Sequence, residues 1–437
     1  MFPFKIKPPK RLSIFAVSFE VVAAINITPS FAVTDPVVLT FSTVGDSRQD
    51  PENPDSTVKQ TEFPTTGCPV PSGTGLTATN PGLSGQDCKW LQNTKAWSRI
   101  MRAIQSQKAN LLFFNGDMIM GYGNADVPVT RLASTDATAS TEIAIPAPSV
   151  TQIVRSDLMQ FYQQYGFWRG MVANLMETGT YVVPVPGNHE VQCKRCGKKA
   201  TVVNENAWVD NMGDLILDQA RFNALLTTPT YTQTTANTNL STTAPGAADG
   251  VTSTADQKKL TYSFDVGTSH FIVIDTDLKG NDGKVPTNWL SQDLSDAKFR
   301  GATNFFVFGH KPAFYHSYGN NPPSSSAPYL SNAATFWNLL IDYKATYFCG
   351  HEHIFDVSRY PGTGANSSKS AYQVLVGAGG SPFDALSTTP GIIPTDRMYS
   401  WATVRIFQSG KVMMDTYGFD TTIANPIAKL QDSIQLN

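Results

Sequence analysis

Asn110-Leu111-Leu112-Phe113-Phe114-Asn115-Gly116-Asp117 decides how this chain is to be read. Four consecutive large apolar residues leave no polar face, so a strand formed here is buried on both sides, as in the middle layers of an α/β protein. Gly116-Asp117 then stops the run with turn chemistry. The same arrangement recurs four times. Residues 37–44 lead into Gly45-Asp46-Ser47-Arg48, and 181–185 into Gly187-Asn188-His189-Glu190. Residues 305–308 lead into Gly309-His310-Lys311-Pro312, and 346–349 into Gly350-His351-Glu352-His353.

Helical periodicity lies between these runs. Residues 90–107 place Trp90, Leu91, Trp97, Ile100, Met101 and Ile104 near a 3.6-residue repeat, and residues 151–176, 205–226, 286–299 and 332–343 also read as helices. Residues 262–266 and 270–275 read as a hairpin around Gly267-Thr268. Further strands are expected at 355–359, 372–376, 402–407 and 412–417. Strands alternating with helices predict a layered α/β domain whose ligand crevice lies beyond the strand C-termini. All five glycine motifs fall there.

The chain has 437 residues, 41% of them hydrophobic, enough for a large core, and a net charge of −2. No general basic field is present, so no nucleic-acid-binding surface is expected, and an anionic ligand must be attracted locally. Lys5, Lys7, Lys10 and Arg11 precede a mostly apolar run over 12–27, and Ser30-Phe31-Ala32 supplies small residues for cleavage. Residues 1–32 therefore read as a secretory signal, interrupted only by Glu20, and the protein as secreted or periplasmic. No later apolar run is long enough for a transmembrane helix. Residues 33–437 read as a single domain with insertions at 126–149 and 227–255, the second a low-complexity Thr/Asn/Ala/Gly loop. Cys68 and Cys88 flank a loop that a disulfide would staple, Cys193 and Cys196 are spaced for a tight bridge, and Cys349 reads as a buried free thiol.

Only six histidines are present, and four lie in the motifs. Taken singly, each motif is an ordinary turn or cap. Taken together, Asp46, Asp117, Asn188, His310, His351 and His353 offer carboxylate, amide and imidazole donors at one sheet edge. Two metals about 3.5–4 Å apart need a shared ligand, a role for the Asp117 carboxylate. Oxygen and nitrogen donors without thiolate suit two divalent, or mixed-valence, transition metal ions, with zinc, manganese and iron as candidates. A metal-bound hydroxide, its pKa brought toward about 7, would attack phosphorus in line. His189 would protonate the leaving oxygen, and Glu190 or Glu352 would orient a neighbouring imidazole. Tyr315 and His316 fit either a pocket wall or an ordinary core or surface place. No Gly-x-Ser-x-Gly elbow supports a serine hydrolase, since Gly379-Gly380-Ser381 lies outside that context.

Over residues 37–376 these motifs resemble the calcineurin-like metallophosphoesterase superfamily, in particular its purple acid phosphatase-like members. The resemblance implies a central β-sandwich of two mixed sheets flanked by helices. It implies one ion held by Asp46, Asp117 and His353, and a second by Asp117, Asn188, His310 and His351, with His189 catalytic. Two positions depart from the pattern. Arg48 stands where most members carry the histidine of Asp-x-His, and arginine does not ligate metals. Met120 stands where purple acid phosphatases carry a tyrosine, with Tyr122 two residues on. The first ion is therefore short of one protein ligand, or takes water or Tyr122. Arg48 is read either as a phosphate-binding residue or as a partner for Asp50 or another loop acid.

The expected activity is hydrolysis of a phosphomonoester, on a small molecule or an exposed group. The alternatives are a phosphodiesterase on the same centre, or a metal- or phosphate-binding protein with little turnover.

Overall fold

The computed structural model describes residues 35–48, 92–124, 157–216, 220, 239–316, 328–381, 383–384, 396, 398–419 and 428–437. The expected signal segment, the Cys68/Cys88 loop, the 126–149 insertion and Asp50 lie outside them.

Two six-stranded mixed sheets stack face to face. The first is built from β1 (Val37–Val44), β2 (Leu111–Asn115), β3 (Tyr181–Val185), β12 (Tyr399–Phe407), β13 (Val412–Phe419) and β14 (Lys429–Gln435), in the order β14-β13-β12-β1-β2-β3. The second contains β6 (Tyr262–Val266), β7 (Ser269–Val273), β8 (Asn304–Phe308), β9 (Thr346–Cys349), β10 (Phe355–Pro361) and β11 (Ser370–Val376), in the order β10-β11-β9-β8-β7-β6. A small ribbon pairs β4 (Gln192–Cys193) with β5 (Lys199–Ala200). β1, β2 and β3 run parallel, as do β7, β8, β9 and β11, so the strands that precede the five glycine motifs end in loops at one edge of the sandwich.

The doubly buried reading of Leu111–Phe114 follows from the two-residue period of a strand. Leu111 and Phe113 face the other sheet, while Leu112 and Phe114 face the helices. Between the sheets lies a phenylalanine cluster. Phe41 meets Phe113, Phe271, Phe306, Phe308 and Phe348 edge-on at centroid distances of 5.1–5.8 Å, and Phe113 stacks on Phe308 at 3.6 Å. Helices Gln92–Ser106, Asp157–Glu177 and Val202–Met212 cover the outer face of the first sheet, and Thr287–Arg300 and Ala333–Tyr343 cover that of the second. The result is the helix–sheet–sheet–helix arrangement that the patterning and the resemblance predict. Among the described residues no helix is long and apolar enough to cross a membrane.

Three details differ from the sequence reading. The helix expected at 205–226 begins at Val202, where the Thr201 hydroxyl accepts the Asn204 N–H as an N-cap, and it ends at Met212. Part of the supposed 227–255 loop is built into the fold. Leu240 bridges to Phe264, a 3₁₀ turn spans Ala247–Asp249, and Val251 and Ala255 are buried in the core. Composition hid this because, among the described residues, a few scattered apolar side chains, Leu240, Val251 and Ala255, carry the packing. Strand β14 differs too, because it is mostly polar and exposed, and its two apolar residues, Leu430 and Ile434, lie four apart without alternation. Cys193 and Cys196 form a disulfide, and Cys349 is buried and free.

A histidine outside the motifs ties the second sheet to its helix. His270 is fully buried, with Nδ1 2.6 Å from Asp265 Oδ1 and Nε2 2.9 Å from Asp293 Oδ2. Arg300 donates to the other Asp265 oxygen at 2.7 Å and Ser263 to the other Asp293 oxygen at 2.6 Å. Burial opposes the imidazolium, but the two aspartates override it and raise the His270 pKa. A raised folded pKa gives stability that is fully present below the unfolded value of about 6.5 and is lost as pH rises through the folded value. His270→Asn should therefore lower the melting temperature most near pH 6, with the deficit shrinking at alkaline pH. Thermal melts of both proteins across pH 5.5–9 measure this, and a deficit independent of pH would refute it.

Candidate metal centre

Each functional side chain is delivered by the first residues after a strand, and several sit in backbone conformations that cost energy. Asp46, Asp117 and His351 have φ of 62°, 54° and 75°, and Tyr122 has 63°. Left-handed geometry costs a non-glycine residue roughly 1–2 kcal/mol, and such strain concentrates at functional sites. The glycines before them leave room for close approach. A Cβ on Gly350 would stand 2.2 Å from Asp46 Oδ2. One on Gly116, itself at φ 83°, would meet His310 Nδ1 at 2.6 Å and the Gly187 Cα at 2.7 Å.

The loops are sewn to one another across the two sheets. Asp46 N–H donates to Gly116 O (3.0 Å), Gly45 N–H to Val376 O (2.8 Å), and Gly350 N–H to His310 O (2.9 Å). His351 N–H donates to Asp46 Oδ2 at 2.9 Å. The loop carrying Asp117 is held by Glu190, whose buried carboxylate accepts the N–H groups of Asp117, Met118, Ile119 and Gly187 at 2.7–3.1 Å. Glu190 therefore positions a backbone rather than an imidazole, which corrects the expectation above. Glu352 likewise accepts a backbone N–H, that of His316, at 3.0 Å. Burial raises both carboxyl groups to about 7.

The structure brings all six expected donors together as two groups that share Asp117. His310 Nε2, His351 Nδ1 and Asn188 Oδ1 lie 2.8–3.1 Å from one another, and His310 Nε2 is 3.1 Å from Asp117 Oδ1. Asp46, Asp117 and His353 form the second group, with ligand atoms within 4.8 Å of each other. His351 and His353, two residues apart, thus serve different groups.

The donors suit divalent cations. His310 Nδ1 donates to Asn115 O at 2.7 Å, so Nε2 is the nitrogen that faces the acceptors Asp117 and Asn188. Burial opposes charge on His310, yet Asp117 and Asp46 lift its pKa to about 10. A divalent cation bound at Nε2 would compete with that proton. The Asn188 amide nitrogen donates to the Tyr122 hydroxyl, which turns Oδ1 toward the imidazoles. Asp46 Oδ1 is buried with no hydrogen-bond partner, as a metal-ligating oxygen would be. Burial, reinforced by Asp117, raises the Asp46 pKa, whereas the charge and hydrogen bond of His310, with Arg48 behind it, override burial at Asp117 and keep it ionised.

His189 is buried against Tyr122, with ring centroids 3.8 Å apart. Its Nδ1 lies 2.5 Å from Met120 O and its Nε2 2.5 Å from Arg48 Nη1. A carbonyl only accepts and a guanidinium only donates, so the ring is neutral here, with its proton on Nδ1. Burial and Arg48 hold its pKa low, against Asp117. Arg48 reaches the site through this contact with His189.

Five neighbours complete the surroundings of the donors. Tyr122 touches Asn188 rather than Asp46 or His353. Tyr329 holds the outer nitrogen of His351, and exposed Tyr315 packs on Tyr329 at 4.5 Å. His316 faces Asp356 at 3.6 Å. Lys311, in the fourth motif, pairs with Asp277 at 2.5 Å. The nearest sequence signal for Glu190 is its place three residues after Gly187 at the start of a helical turn.

A family model for the calcineurin-like phosphoesterases matches residues 90–355. No curated protein matches. Among solved structures, a purple acid phosphatase from yellow lupin (Lupinus luteus) seeds is 13% identical at a TM-score of 0.48, over 92% of this chain and 54% of that one. A dimetal phosphatase from Danio rerio is 10% identical at a TM-score of 0.42, over 91% of this chain and all of that one. The chain thus spans about half the length of the lupin enzyme.

Glu190→Ala would leave four buried N–H groups without an acceptor. Unsatisfied buried donors cost about 1–3 kcal/mol each, so a melting-temperature drop of ten degrees or more is expected. Metal content should fall about 10- to 100-fold at fixed free metal, as for lost ligand-supporting contacts. Calorimetry and elemental analysis of the variant check both, and wild-type values in each would refute the role.

Proposed function

We propose that this chain, which belongs to the calcineurin-like phosphoesterase family, is a secreted metal-dependent hydrolase of phosphomonoesters. The observation that carries the reading is the sharing of Asp117 between two donor groups at the strand ends. Bound divalent ions would supply Lewis acidity to water and to the phosphoryl oxygens.

The chain's own residues account for the rest. Arg48 donates to the lone pair of His189 Nε2 in the resting arrangement. An incoming phosphate is the better acceptor, because it carries the opposite charge and can take two parallel guanidinium bonds where the neutral imidazole takes one. When Arg48 turns to the phosphate, Nε2 is released to take a proton from solvent and deliver it to the leaving oxygen, which returns the ring to its neutral form. The Nδ1–H bond to Met120 O holds the ring in place meanwhile. A monoester dianion offers Arg48 a terminal anionic oxygen that a diester has replaced with a second ester group. This favours monoesters over diesters. Secretion is supported by the pattern of residues 1–32 and by the Cys193–Cys196 disulfide, a bond of oxidising compartments.

Turnover of 4-nitrophenyl phosphate should exceed that of bis(4-nitrophenyl) phosphate at least ten-fold in kcat/KM, vanish with chelator and return with divalent metal. His189→Ala should lower kcat by about 10²- to 10⁴-fold, more for an alkyl than for an aryl leaving group. A preference for the diester would transfer the assignment to phosphodiesterases. Turnover of neither ester by metal-loaded protein would favour the binding-protein reading. N-terminal sequencing of protein recovered from the medium should begin after Ala32, and an intact Met1 there would refute signal cleavage.

A further inference from the structure

The two donor groups are unequal. The group around His310 has four donor side chains, Asp117, Asn188, His310 and His351, and each of the last three is oriented by a further contact. Asn115 O fixes His310, Tyr329 fixes His351, and Tyr122 fixes Asn188. The group around His353 has three, Asp46, Asp117 and His353, one of them shared.

Arg48 adds a second asymmetry. It follows Asp46 by two residues, on the same loop as the three-donor group. Two steps, of 2.5 Å to His189 Nε2 and 3.6 Å from there to Asp117 Oδ2, separate its guanidinium from the shared carboxylate. Arginine is permanently cationic and offers no lone pair, so it repels a nearby cation and cannot ligate it. Its charge acts on both Asp46 and Asp117, the two carboxylates of the three-donor group among the described residues.

We propose that the two positions load unequally, the four-donor position first and tightly and the three-donor position weakly, and that Arg48 sets the gap between them. The proposal rests on the metal-centre reading above. At limiting metal the chain carries one ion, and the fixed charge of Arg48 stands beside the other position.

The test titrates the full mature chain, stripped with chelator, with Zn(II) and separately with Mn(II) by calorimetry. Elemental analysis after equilibrium dialysis at set free-metal concentrations counts the ions. Wild type should show two dissociation constants at least ten-fold apart. Arg48→His, which removes the charge and adds a nitrogen donor, should tighten the weak step ten-fold or more and leave the tight step unchanged. Arg48→Ala, which removes only the charge, should narrow the gap by less. His351→Ala should abolish the tight step. Two equal constants in wild type, or a gap unmoved in both Arg48 variants, would overturn the proposal and leave the metal centre standing. No bound ion in any variant would overturn the metal centre as well.

Discussion

A hydrogen bond of 2.7 Å from His310 Nδ1 to the carbonyl of Asn115 joins the two sheets where their strands end. Everything at the site depends on that junction. Asp46, Asp117 and Asn188 come from the first sheet, and His310, His351 and His353 from the second. Donors from two layers meet only if the layers keep one spacing and one register. The phenylalanine cluster around Phe41 sets the spacing, because rings packed at native density tolerate little displacement. The bonds from Gly45 to Val376 and from Gly350 to His310 fix the ends of the strands to that frame.

The cost of this convergence is electrostatic. Asp46, Asp117 and Glu190 are buried close together, and burial of like charges is unfavourable without compensation. The structure compensates each differently. Glu190 receives four backbone N–H groups. Asp117 receives the charge of His310. Asp46 accepts one backbone N–H on Oδ2 while Oδ1 has no hydrogen-bond partner, and it is the carboxylate whose pKa burial raises. The left-handed conformations at Asp46, Asp117 and His351 add strain of the same sense. Bound cations would relieve the electrostatic cost and offset the strain, so ligand binding and stability are coupled at this edge of the molecule.

The sequence made the frame and the donors legible for one reason. A strand buried on both faces is a continuous apolar run, and the residue after its glycine is placed by the backbone before any tertiary contact is known. Leu111–Phe114 followed by Gly116-Asp117 is such a case, and Phe305–Phe308 followed by Gly309-His310 is another. Residues that act through backbone or through distant loops were not legible. Glu190 looks like a candidate partner for a histidine, yet its four bonds all go to main chain. Tyr329 lies outside every motif and holds His351 through chain proximity that only the fold creates. Val251 and Ala255 vanish in a Thr/Asn/Ala-rich composition, and the polar strand β14 carries no alternation to find.

Arg48 shows why a departure from a pattern is better read with its neighbours than by itself. A missing ligand alone would be a deficiency. Placed against His189, the same residue changes three things together. It fixes which nitrogen of His189 carries the proton, it brings a permanent charge near Asp117, and it offers an incoming anion a donor that is already in the site. A histidine at this position could supply a metal ligand but no fixed charge, and a lysine could supply charge but not a planar pair of donors. On the proposed reading, the arginine trades coordination at one position for anion recognition beside it. Such a trade is coherent only if the neighbouring four-donor position can hold an ion by itself, which is what the three supporting contacts from Asn115, Tyr122 and Tyr329 provide for.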